Sequence, residues 1–299
     1  MVTFEYPFAP HWLDLDGLRY HYVDAGERDG EPVVLVHGNP TWSYLYRNLI
    51  PALGTGFRAI APDHIGCGRS DKPGLDAYDY TLARRVADLG RLIDHLALDA
   101  VHLVVHDWGG MIGTAWATQN PERVRSMVVL NSGAFGKPTD KRVPWPIRLA
   151  RAPMLGALLV RGLDLFCRGT VQRCTVRPLR REVAAGFREP YASWAERVAV
   201  HQFVRDIPLQ QGDRSFAVMA QTERDLPRLR SVPKLLCWGM QDFVFDHTFL
   251  DSWLARFPDA EVHRFADAGH LVLEDAGPEV FALVNAFLRR VPAVSRAAR

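Results

Sequence analysis

The sequence predicts an α/β fold: a mainly parallel sheet flanked by helices, with a helical cap inserted between two of its strands. Three observations lead there. Short runs rich in β-branched residues alternate with longer stretches of helical period, the signature of strand–helix–strand units. One of those runs, Pro32–Val36, is apolar at every position, as a strand covered on both faces is. The alternation stops between residues 136 and 229, where helical patterns continue without a strand and eight prolines punctuate the chain.

Taken in order, Trp12–Asp16 and Leu18–Asp24 form an antiparallel opening hairpin, because Asp16-Gly17 is a turn dipeptide between them. Pro32–Val36 is the first fully buried strand. Phe57–Ala61 is the next, and it runs into the turn-rich stretch Pro62–Ser70. Val101–Val105, Ser126–Leu130, Lys234–Trp238 and Glu261–Phe265 complete the sheet. Helical periodicity marks segments near Ser43–Leu53, Leu82–Leu96, Met111–Gln119, Phe249–Arg256 and Glu279–Arg289. The core therefore spans residues 1–135 and 230–299, and the cap spans 136–229. Inside the cap, Leu149–Phe166 mixes apolar residues with arginine. Such a stretch suits a helix lying on a membrane surface or a lid whose apolar face covers an active site; the lid is the expected role. The tail Val291–Arg299 is expected to fray.

The chain of 299 residues is 48% hydrophobic and 23% charged, an ordinary globular balance. A net charge of +2 excludes the electrostatic footprint of a nucleic-acid binder, although arginine is concentrated between Lys141 and Arg205. Cys67, Cys167, Cys174 and Cys237 lack the spacing of a zinc site. The first residues show neither a basic nor an apolar leader segment, so reduced thiols and a cytoplasmic location are expected. No run is long and apolar enough to span a membrane. The glycine-rich runs match neither a dinucleotide fingerprint nor a P-loop, and no cofactor or metal is expected.

The chemistry is concentrated at Leu103-Val104-Val105-His106-Asp107-Trp108-Gly109-Gly110. An apolar strand breaks here into a helix through a turn that strains its nucleophile and needs small neighbours. A serine in that place performs acyl transfer. A carboxylate can instead attack a saturated carbon and form an alkyl ester on the enzyme. Asp107 also suits the simpler role of helix N-cap. His37-Gly38-Asn39-Pro40 follows the first buried strand and so reaches the same carboxyl edge. Backbone N–H groups there and at Trp108 suit an oxyanion hole, and the side chains of Asn39 and Trp108 add an amide and an indole donor for a released anion. His270 follows the last strand and completes the chain order nucleophile, acid, histidine. Asp242, just past the preceding strand, is the preferred acid, with Asp246 its near competitor. Asn131 occupies another place suited to an orienting acid, but it is an amide.

These motifs, with Asp63-x-x-Gly66-x-Gly68-x-Ser70-Asp71-Lys72-Pro73 and Ala268-Gly269-His270, resemble the α/β-hydrolase superfamily and its haloalkane-dehalogenase branch over residues 20–135 and 230–288. Further stretches, including Tyr80–Val86, Ala192-Ser193-Trp194 and His201–Pro208, are similar to the β-lactone decarboxylases of bacterial long-chain olefin biosynthesis. The resemblance implies an α/β-hydrolase fold, Asp107 as nucleophile, His270 as histidine, Asp242 as acid, and Asn39 with Trp108 as the anion-holding pair. It also implies conversion of a cis-2,3-dialkyl β-lactone, a hydrophobic small molecule, to a cis-alkene and carbon dioxide, in a possible assembly with a β-lactone synthetase and other olefin-pathway enzymes. Hydrolytic dehalogenation is the alternative, since both reactions need carboxylate attack on carbon and a held leaving anion. A non-catalytic ligand-binding protein on the same fold is the third reading. Epoxide hydrolysis needs tyrosine donors in the cap, where Tyr191 stands alone.

Overall fold

The strand Val101–Asp107 (β5) is buried at every position and forms the middle of the sheet. A computed structural model describes residues 5–292. Around β5 it arranges β1 (Pro10–Leu15), β2 (Leu18–Gly26), β3 (Glu31–Val36), β4 (Phe57–Pro62), β6 (Val124–Ser132), β7 (Lys234–Gly239) and β8 (Glu261–Phe265). Their order across the sheet is β1-β2-β4-β3-β5-β6-β7-β8. The expected hairpin is present, and β2 pairs antiparallel with β4; every other pairing is parallel. The strands thus share one carboxyl edge from β3 through β8. The loops after Val36, Ser132, Gly239 and Phe265, and the turn after Asp107, all leave from that edge.

The helix Trp108–Gln119 packs on β5, and the helix Leu82–His95 packs on that helix. Leu82–His95 is amphipathic and is capped by Thr81, whose hydroxyl accepts from the Arg84 N–H. Trp108–Gln119 is buried at all but its last residue, which fits a helix with no polar face. It begins at Trp108, three residues before the expected Met111, because the turn after Asp107 is tight enough to need no linker. The expected helix Ser43–Leu53 divides into a single turn at Ser43–Tyr46 and a short helix at Leu49–Ala52. The last helices, His247–Arg256 and Gly277–Arg290, lie within two residues of expectation.

Between β6 and β7 the chain forms helices only. The single lid helix expected over Leu149–Phe166 is instead three pieces, Trp145–Arg151, Pro153–Gly162 and Leu165–Arg173. Pro153 has no N–H to continue the first, and Asp164 at φ 57° interrupts the next. Of the tail expected to fray, only Val291 and Pro292 are described, so residues 293–299 lie outside, as do residues 1–4. No helix among the described residues is long and apolar enough to cross a membrane.

Candidate active site

The edge of β5 carries a strained carboxylate. Asp107 has φ 51° and ψ −126°, a combination few residues other than glycine adopt. Its neighbours have no room for side chains. A β-carbon on Gly109 would meet the Val36 carbonyl, and one on Gly38 would meet the Asp107 carboxylate itself. The Ser132 hydroxyl donates to the Asp107 carbonyl at 2.5 Å and pins the turn to β6. Although Asp107 stands in the N-cap position, its side chain caps nothing. Its Oδ1 instead accepts the Asn39 backbone N–H at 2.6 Å. The N–H expected to line an oxyanion hole therefore holds the carboxylate. Burial raises the Asp107 carboxyl above its usual range, against the pull of His270 and of the Asn39 and Trp108 N–H groups.

His270 lies between two carboxylates. Its Nδ1 donates to Asp242 Oδ2 at 2.8 Å, and its Nε2 is 3.6 Å from Asp107 Oδ2. Burial works against a charged ring, but Asp242 and then Asp107 raise its pKa. Asp242 is held below the carboxylate range despite burial by His270 and by the Val244 and Phe245 N–H groups. The histidine is fixed from both sides. The ring of Phe245 stacks on it with centroids 5.8 Å apart, and His106 Nε2 donates to its backbone carbonyl at 2.9 Å. Burial pushes His106 down to about 3, so it is a neutral donor. Asp246 is excluded from this group: it caps the helix His247–Arg256 and pairs with Lys141 at 2.7 Å.

Asn39 and Trp108 stand beside Asp107. One N–H of the Asn39 amide donates to the Val200 carbonyl at 3.1 Å, which leaves the other uncommitted. Among the described residues no acceptor takes the Trp108 indole N–H. Both side chains line a cavity of about 740 Å³, together with Asp107 and His270. The helices after β6 supply much of its wall, including Trp145, Ile147, Leu165 and Phe166; Phe243, Phe245 and Phe249 supply another part. Such a lining selects apolar ligands. Tyr191 lies outside the cavity, and its hydroxyl donates to the Thr41 carbonyl at 3.3 Å.

Comparison with known proteins agrees with this geometry. The family described as alpha/beta hydrolase fold matches residues 31–277. The chain belongs to the α/β-hydrolase family. Within it, the chain is 45% identical to a cis-3-alkyl-4-alkyloxetan-2-one decarboxylase from Shewanella oneidensis, over 94% of this chain and 89% of that protein. It is 40% identical to a protein of the same name from Xanthomonas campestris pv. campestris, over 96% and 98%. Haloalkane dehalogenases are more distant, as in Mycolicibacterium paratuberculosis at 35% over 92% and 91%. The crystal structure of the haloalkane dehalogenase DatA from Agrobacterium tumefaciens superposes with a TM-score of 0.84 at 27% identity, covering 95% of this chain and 97% of that one.

Two features of this α/β-hydrolase site go beyond the sequence reading, which notes Asn131 only as an amide where an acid could stand and gives Arg85 no role. Asn131 sits at a register shift between β5 and β6 with φ 35°, and such a bulge re-aims its side chain. The amide donates to Asp242 Oδ2 at 3.0 Å and exchanges two hydrogen bonds with Gly239. It therefore positions the acid instead of replacing it. Arg85 is fully buried, 3.3 Å from Asp206, with its guanidinium 3.7 Å from the Phe203 ring centroid and 5.8 Å from that of Trp108. It joins the core helix to the helix Val198–Arg205 behind the indole. A charged residue at an apolar helix position was the available signal.

Proposed function

We propose that this protein decarboxylates cis-2,3-dialkyl β-lactones, numbered as 3,4-dialkyl oxetan-2-ones in ring nomenclature, to cis-alkenes and carbon dioxide. The observation that carries the reading is near-full-length identity of 45% and 40% to two proteins named for that substrate class. The site supports it with a carboxylate where an acyl-transfer enzyme has serine, facing an apolar cavity that accommodates two alkyl chains.

Asp107 attacks the ring carbon bearing the ring oxygen and inverts it. That carbon–oxygen bond breaks, and its electron pair stays on the ring oxygen, which becomes the second oxygen of a free carboxylate. Asn39 and Trp108 donate to this anion. The carbon–carboxylate bond then breaks anti to the Asp107 ester. Its electrons form the alkene, carbon dioxide leaves, and the ester oxygen departs with its pair as the Asp107 carboxylate. Inversion followed by anti loss preserves cis geometry. The cycle consumes no water, so His270, oriented by Asp242, serves as a positive neighbour to the two carboxylates instead of activating a nucleophile. On this reading we assign the protein to long-chain olefin biosynthesis, beside the enzyme class that closes β-lactones.

Hydrolytic dehalogenation is the second reading, favoured by the 35% identity to haloalkane dehalogenases. The two differ in where water goes. A dehalogenase hydrolyses its ester at the Asp107 carboxyl carbon, with His270 activating water, so multiple turnovers in heavy-oxygen water label Asp107. The lactone cycle returns the original carboxylate. Purified protein offered a cis-2,3-dialkyl β-lactone and a bromoalkane in parallel is expected to form cis-alkene, with Asp107 unlabelled by peptide mass spectrometry. Label rising in step with alkene overturns the elimination. Alcohol from the bromoalkane, with the lactone untouched, overturns the substrate.

A further inference from the structure

Seven of the twelve large apolar side chains exposed among the described residues fall between Trp145 and Leu165. Single exposed apolar residues are ordinary on a protein surface; this concentration in one stretch is not. Trp145 is 71% exposed and Met154 87%, with Leu149, Leu155 and Leu158 between and beside them. Trp145, Leu165 and Phe243 are also part of the cavity wall. The cavity therefore opens through the apolar patch, and its mouth is rimmed by side chains that face solvent.

The charge around this patch has one sign. Residues 137–181 carry eleven Lys and Arg against two Asp, in a chain whose net charge is only +2. One of the two, Asp164, is buried and pairs with Arg188 at 2.6 Å. Arg142, Arg148 and Arg173 are exposed and make no ion pair among the described residues. From these facts we infer that the face formed by residues 142–165 docks on an anionic lipid bilayer, with the cavity mouth turned toward the acyl layer.

Physical complementarity selects this occupant. Long apolar tips interleaved with guanidinium groups match an interface whose inner layer is hydrocarbon and whose outer layer is phosphate. Trp, Met and Arg are common at protein–protein interfaces as well, but a protein occupant must bring an acidic counter-surface for these arginines, whereas an anionic bilayer offers one everywhere. The inference rests on the proposed substrate class in one respect. A lactone with two alkyl chains, and the alkene it yields, reside in hydrocarbon, so a mouth at the bilayer spares both a passage through water.

Vesicle flotation tests the docking without any lactone present. The wild-type protein is expected to float with phosphatidylcholine vesicles containing phosphatidylglycerol, and about tenfold less with phosphatidylcholine alone or at high salt. Met154→Ser with Leu155→Ser, and separately Arg142→Glu with Arg148→Glu, are each expected to lower the bound fraction about tenfold. None of the four lines the cavity, so melting temperature and turnover of a short, water-soluble lactone are expected to stay unchanged. Absence of flotation at low salt, binding by either double variant equal to that of the wild type, or a dimer that these substitutions dissolve would overturn the inference. Protein that floats but leaves lactone untouched loses the substrate reading alone; protein that turns over lactone but never floats loses the docking alone.

Discussion

Where β5 ends, each charged group has an assigned partner: Asp107 holds the Asn39 N–H, His270 lies between Asp107 and Asp242, and Asp242 is gripped by Asn131 and Val244. The helices between β6 and β7 are organised differently. They leave Met154 and Trp145 in solvent, and several of their arginines donate to backbone carbonyls of the same helical region, as Arg197 does to Arg161 and Tyr191. One region is over-determined by short contacts; the other is set by composition more than by particular pairs. Chemistry needs atoms held to within a fraction of an ångström, whereas accepting an alkyl chain needs only apolar surface of suitable size. Substitutions at the edge should therefore act on rate, and substitutions in the helices on choice of substrate.

The largest effect belongs to the proposed nucleophile, Asp107. Asp107→Asn and Asp107→Ala are expected to lower turnover by more than about 10⁴-fold. The melting temperature should hold or rise, because the carboxylate is buried and caps nothing, and asparagine tolerates positive φ comparatively well. Single-turnover kinetics with calorimetry measures both, and lost stability with retained activity per folded molecule would reassign Asp107 to the scaffold. Next come the donors that bridge the two regions. Asn39→Ala and Trp108→Phe should each slow the chemical step by about 10²-fold, with the double variant short of the product because both hold one anion. Unchanged single-turnover rates would place the anion elsewhere. The smallest effect lies in the wall from the helices. Ile147→Ala should shift the preferred chain length, changing kcat/KM between a long and a short lactone by about tenfold or less with little change in kcat on the preferred one. A collapse of kcat there would break the contrast between the regions.

The same contrast explains what the sequence made legible. β3, β5 and β7 are runs without a wet face, and each lies within two residues of its expected bounds. Asp107, His270 and Asp242 were visible because each follows a strand end, and a parallel sheet brings its strand ends together. Asn131 is legible as an amide at a possible acid position, but its contact with Asp242 is not, because that contact depends on β6 lying beside β7 and on a bulge that no local pattern announces. Gly38 reads as a turn residue, yet it makes room for a carboxylate 69 positions away. In the helical region the prolines told of interruptions but not of where the apolar side chains would point. The lid reading of Leu149–Phe166 therefore placed under cover several side chains that are exposed.

The uncapped start of the helix Trp108–Gln119 has one more consequence. An ordinary N-cap side chain satisfies one of the first free N–H groups, and losing it costs about 1 kcal/mol of stability. Here the residue in that position directs its carboxylate toward the Asn39 N–H and the imidazole instead. The positive end of the helix dipole, equivalent to roughly half a positive charge, therefore faces the Asp107 carboxylate through the Trp108 N–H instead of an ordinary cap. That half charge lies against the side chain which alternates between a carboxylate and a neutral ester as the proposed cycle turns. It favours the charged form, and so favours Asp107 as the departing group in the step that regenerates it.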